Sequence, residues 1–219
     1  MIVTFFNIPA IYAKLVAVFL TLTLIVTLTS CSVTNTRISS PLIKQTQSER
    51  IQALTALSAW QVKGKIAFLE AGNRNSANLA WQVDNNQKNQ QLNLTSYLGI
   101  NVLKLLSNNG LHTVVVEGTT YQSDDLTNLI YSLTGLTLPT DALQFWLKGL
   151  AYQQSDVIIY NNITGLPEIL SSQYQQQTWQ IKYQGYQQIE QFSLPTQINI
   201  NQGSLIIKIV INHWSVSPR

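Results

Sequence analysis

From Trp60 to Trp214 apolar residues return at every second position in one short segment after another, and that period of two is broken only once. The pattern is plainest where Trp60, Val62, Gly64, Ile66 and Phe68 alternate with Gln61, Lys63 and Lys65. Successive side chains of a strand point to opposite faces, so such a segment carries one apolar face and one wettable face. Similar stretches run over Ala77 to Val83, Gln91 to Thr95, Val102 to Leu106 and His112 to Glu117. They resume over Val157 to Tyr160, Glu168 to Tyr174, Thr178 to Gln184, Thr196 to Ile200 and Ser204 to Trp214. Clusters such as Gly72-Asn73, Asp84-Asn85-Asn86 and Asn108-Asn109-Gly110 separate them, which predicts an antiparallel meander.

The interruption is helical. Leu126, Leu129, Ile130 and Leu133 fall at i, i+3, i+4 and i+7, with Ser123 as the expected cap and Gly135 as the stop. Thr140 and Asp141 open a second helix with Leu143, Trp146, Leu147 and Leu150 on one face, closed by Lys148 and Gly149. A third, short helix precedes the strands over residues 48 to 58, with Ile51, Leu54 and Leu57 on one side and Glu49, Arg50 and Gln52 on the other. In the last strand Leu205, Ile207, Ile209 and Ile211 share one face, while Ile206 and Val210 share the other with Lys208. Both faces there call for partial cover, and the apolar helices are the elements available to give it. The expected fold is mainly β with a few helices: about ten or eleven antiparallel strands curled into an incomplete, unclosed barrel with helices over the opening. A flat two-sheet sandwich is the rival, because alternation alone does not distinguish the two.

Ahead of the domain, Lys14 precedes an apolar run of 14 residues from Leu15 to Leu28, the layout of an export signal. A helix needs roughly 20 residues to cross a bilayer, so the run is expected to be removed; extension back to Ala10 would instead give a retained anchor. The expected organisation is a signal peptide over 1–30, a tether over 31–46 and a single domain over 47–219. Ser32 to Thr46 shows no periodicity and is rich in Ser, Thr and Asn, as a tether would be.

Charged residues make up only 11% of the chain, and without the signal 12 Lys and Arg face 10 acids, too small an excess to indicate nucleic acid. Gln and Asn fill the wettable positions instead, which suits a protein working beside a membrane. The one cysteine, Cys31, excludes a disulfide within the chain. His112 and His213 are the only histidines, and neither metal-ligand spacing, nor a nucleotide loop, nor a nucleophile elbow is present. The residues therefore point to binding, with no catalytic set, metal or cofactor. Leu98 is the sharpest single candidate: it follows Tyr97 and precedes Gly99 at a tip between two strands, where polar turn residues are the norm.

Several segments together resemble the LolB family, outer-membrane lipoproteins that receive other lipoproteins and insert them. Leu28-Thr29-Ser30-Cys31 resembles a lipobox, whose cysteine is acylated in bacterial lipoproteins; Ser32 in place of Asp implies the outer membrane. Further matches are Leu79-Ala80-Trp81-Gln82, Leu94-Thr95-Ser96-Tyr97-Leu98-Gly99, Trp179-Gln180-Ile181-Lys182-Tyr183, Gly185-Tyr186 and Asn212-His213-Trp214. The most specific is Leu133-Thr134-Gly135-Leu136-Thr137-Leu138-Pro139 running on to Leu143-Gln144-Phe145-Trp146-Leu147-Lys148-Gly149-Leu150. Two departures are Tyr97, where the family usually has Pro, and the strongly aliphatic stretch from Ile100 to Leu106.

The resemblance implies an apolar cavity between the unclosed barrel and its helices, a LolA-like periplasmic carrier as partner, and client lipoproteins whose acyl chains enter the cavity. It implies lipid on Cys31, a monomer facing the periplasm, and membrane insertion through Leu98. Trp81, Trp146, Trp179 and Tyr183 are the expected cavity residues, since large aromatics offer much apolar area at small rotamer cost. Three other functions remain open on the residues alone: an envelope assembly lipoprotein that binds a protein and no lipid, a soluble carrier of the same fold, and an envelope hydrolase.

Overall fold

The computed structural model describes residues 41–42, 45–135 and 138–217; Cys31, the export segment and most of the tether lie outside them. Eleven strands form one antiparallel sheet: β1 (Ala59–Glu70), β2 (Asn73–Asp84), β3 (Asn89–Thr95), β4 (Asn101–Asn108), β5 (Leu111–Val116), β6 (Thr119–Ser123), β7 (Val157–Tyr160), β8 (Pro167–Tyr174), β9 (Gln177–Ile189), β10 (Phe192–Gln202) and β11 (Leu205–Ser217). Among the described residues three helices accompany them: α1 (Gln47–Ala56), α2 (Leu126–Thr134) and α3 (Thr140–Trp146).

The strand order is β6-β5-β4-β3-β2-β1-β11-β10-β9-β8-β7. Every neighbour but one is joined by a turn, and the exception, β1 on β11, brings the first and last strands together through Ala59↔Ser217 to Leu69↔Ile206. Because β6 and β7 do not pair, the barrel is unclosed. The helices α2 and α3 fall between those two strands in sequence.

The period of two maps directly onto burial. Leu205, Ile207, Ile209 and Ile211 of β11 are buried on the inner face, as are Trp179, Ile181 and Tyr183 of β9, while Lys182, Gln184 and Lys208 face out. Gly64 marks a place where only a hydrogen will fit: the β1–β11 register shifts there, and a Cβ would collide with the carbonyl of Val210.

Four expectations are corrected. The helices cover only the inner face of β11, so Val210 stays exposed and Ile206 half-buried; the outer surface tolerates single apolar residues without a cover. β6 is an additional strand: Thr119-Thr120-Tyr121-Gln122-Ser123 lacks an apolar face because it is an exposed edge. The cap of α2 is Asp125, whose carboxylate accepts from the Asn128 amide at 3.0 Å, while Ser123 Oγ accepts from the amide of Asp125. Arg50 lies on the buried side of α1, and Ile51 on the exposed side.

Candidate functional site: an apolar cavity and its protruding loop

The inner face of β1 to β5 and β11 bends away from α2 and α3 and leaves a cavity of about 290 Å³. This is at the small end of the range for ligand pockets, about 300–1,000 Å³. Phe68, Leu79, Trp81, Leu94, Leu105 and Ile207 form its sheet wall. Ile130 of α2, Leu143 of α3 and Leu147 just beyond it form the helical wall. Each helix presents the face that its i, i+3, i+4 spacing makes apolar, so these side chains are positioned by sequence period and then by packing.

Among the described residues none that lines the cavity is charged; its polar contributors are Asn75, Gln90, Thr134 and Thr140. Gln90 Oε1 accepts from Trp81 Nε1 at 3.2 Å, which satisfies the indole and leaves its ring as wall. Such a surface offers hydrocarbon a dry lining and offers nothing to stabilise a charged group.

Of the four aromatics expected there, Trp81 alone lines the cavity. Trp146, Trp179 and Tyr183 are buried elsewhere, in a solid part of the core. The Trp146 and Trp179 rings stand 5.7 Å apart, Tyr174 lies 6.4 Å from Trp146, and Tyr183 donates to the Trp146 carbonyl at 2.9 Å. Large aromatics fill volume, and in this half they fill it completely enough to act as core. Burial pushes the phenol of Tyr183 well above its ordinary range.

Two cations are buried beside that cluster: Arg50, which helical spacing set on the polar side of its helix, and Lys148, expected from the sequence only as the close of a helix. Lys148 Nζ donates to the carbonyls of Leu54 and Leu57 at the end of α1, at 3.2 and 3.3 Å. Arg50 donates to the carbonyls of Lys148 and Gly149 beyond α3, at 2.7 and 3.1 Å. Each segment thus caps the other's orphan carbonyls, where the negative ends of the helices favour a cation. Desolvation pushes the Lys148 ammonium down to about 8. Leu147, the cavity residue next to it, is held in place by this clasp.

The loop between β3 and β4 stands at the sheet end where Phe68, Leu94, Val116 and Ile207, all cavity residues, approach the ends of their strands. Leu98 is 80% exposed and Tyr97 95% exposed. Ser96 holds the loop: its carbonyl accepts from Gly99 N at 3.0 Å and from Asn78 Nδ2 at 3.1 Å, its amide donates to the Ile100 carbonyl at 2.8 Å, and its Oγ accepts from Ile100 N at 3.2 Å. Gly99 turns through φ +80°, where a side chain would be strained. These bonds tie together the two ends of the loop that carries Tyr97 and Leu98.

Residues 58–214 match the family model described as outer membrane lipoprotein LolB. The chain belongs to the LolB family. Among its relatives, the outer-membrane lipoprotein LolB of Aeromonas hydrophila is 34% identical over 172 residues, 78% of this chain and 84% of the relative. That of Shewanella frigidimarina is 29% identical over 192 residues, 88% of this chain and 90% of the relative. Two solved structures share the fold at low identity. A putative outer-membrane lipoprotein-sorting protein domain from Vibrio parahaemolyticus has a TM-score of 0.54 at 6% identity, covering 77% of this chain and 91% of that one. A LolA superfamily protein from Nitrosomonas europaea has a TM-score of 0.50 at 9% identity, covering 79% and 94%. The unclosed barrel with helices on its inner side is therefore a fold that this chain shares with those two proteins.

Proposed function

We propose that this LolB-family lipoprotein takes the acyl chains of client lipoproteins from a LolA-like periplasmic carrier into the cavity between its sheet and α2–α3, and passes the clients into the outer membrane. The observation that carries the reading is the uncharged cavity of about 290 Å³, whose lining reaches the sheet end that bears an exposed Tyr97-Leu98 tip. Each methylene kept from water is worth about 0.8 kcal/mol, so an acyl chain does not cross the periplasm unsheltered. Transfer without nucleotide then proceeds only towards tighter sites, from carrier to this receptor to bilayer. No bond is made or broken, and the protein is not an enzyme.

In this reading residues 1–30 are removed, Cys31 carries lipid, residues 31–46 form the tether and 47–219 work as a monomeric domain facing the periplasm. Leu98 enters the membrane and Trp81 is a wall of the acyl site. The test mixes the purified chain with a client-loaded carrier. Movement of the client to the chain is expected; a client that stays on the carrier at every ratio contradicts the proposal.

A further inference from the structure

We propose that Ile100 and Val102 form an exit track along which an acyl chain passes from the cavity to the membrane at the Leu98 tip. The inference rests on the acyl-carrier reading above and adds the route that a bound chain takes.

The track begins inside the cavity, because Val102 lines it and is also 46% exposed. A regular strand would not allow this: its neighbour Leu103 also lines the cavity, and adjacent residues point to opposite faces. The register explains the exception. Leu94 pairs with Leu103 and Thr95 with Asn101, so the β3–β4 ladder passes over Val102. On the other side, the pairing of β4 with β5 begins at Leu103↔Val116. Val102 is the extra residue of a β-bulge, and bulges re-aim side chains at the rims of barrels.

Beyond Val102, Ile100 is 65% exposed, and Leu98 follows at the tip. Two residues of extended chain span about 7 Å, so Val102 and Ile100 leave no wide polar gap. No charged residue occurs between Lys88 and Lys104. Ser96 bonds to both the amide and the carbonyl of Ile100, which fixes the middle of the track. Ile100 leaves most of its surface, and Val102 nearly half, open to solvent at this rim, where folding alone gains little from an apolar side chain. Continuity with an uncharged cavity identifies the occupant as hydrocarbon.

The full chain, expressed with its own export segment and held in amphipol, is loaded with a pyrene-labelled triacylated Cys-Ser peptide. Peptide bound at equilibrium is measured first, then the rate of its release to phosphatidylethanolamine–phosphatidylglycerol vesicles. Ile100→Thr is expected to keep binding within about twofold and to slow release at least fivefold. Ile100→Leu is expected to release at the unmodified rate. Release by the Thr variant at the unmodified rate, or equal loss of binding and release, overturns the track while the carrier reading stands. An unmodified chain that binds no peptide at all overturns the carrier reading and the track with it.

Discussion

The two halves of the barrel interior are built from the same alternating strands and differ in what fills them. Around β8 to β10, Trp146, Trp179, Tyr174 and Tyr183 interlock and a pair of buried cations ties α1 to the end of α3. Around β1 to β5, mostly aliphatic side chains line a hollow and Trp81 stands at its edge, 5.5 Å from Trp60. The aromatic half is packed and buried, while the other half keeps a hollow. In a close-packed protein a hollow costs dispersion contacts, so one half must supply more than its share of stability.

The largest effect expected from this division is on stability. Trp179→Ala removes a buried indole from the solid half and is expected to cost about 3–5 kcal/mol in urea unfolding, while the fraction that stays folded binds acyl probe as before. Loss of binding by folded protein would place the ligand in the wrong half.

The cation clasp gives a smaller, pH-dependent signature. Burial lowers the folded-state value for Lys148 to about 8, below its ordinary 10.5, so above pH 8 the unfolded chain binds the extra proton. Stability contributed by this group therefore rises as pH increases from about 8 towards 10.5, by on the order of 3 kcal/mol if taken to completion. The tyrosines work in the opposite direction, since burial raises Tyr183 and Tyr186 and their contribution is lost above pH 10. Urea titrations between pH 7.5 and 9.5 are expected to show the rise, and Lys148→Met to remove it.

Filling the open half sharpens the comparison further. Val116→Phe adds volume to the cavity side and is expected to weaken acyl binding about tenfold, near 1.4 kcal/mol, with a smaller change in folding stability. A site already packed solid would instead lose stability through overpacking and bind as before. The smallest effect on the fold is at the tip: Leu98→Glu is expected to alter stability by less than about 0.5 kcal/mol and to retain client binding, yet to stop insertion into vesicles.

Much of the frame was legible because alternation and helical period leave their mark on every element with a buried face. Gly135 was readable as the end of α2, and Leu98 stood out because a leucine at a turn has no packing to do. What escaped lacks such a mark. β6 has no apolar face. Arg50 and Lys148 are charged, and their partners are backbone carbonyls more than 90 residues away, which no local spacing encodes. Residue type placed the tryptophans in the interior but could not say which half, since a ring that fills space and a ring that borders it obey the same burial rule. The bulge at Val102 depends on how β3 pairs with β4, so its two consecutive inward residues looked like an unusually aliphatic strand.

The division between a solid and an open half is tested most directly by crystals of the chain grown with ω-brominated palmitic acid. The account predicts anomalous bromine density bounded by Trp81, Leu143 and Ile207. Density lodged between Trp179 and Tyr183, or an interior that admits no bromine, would contradict it.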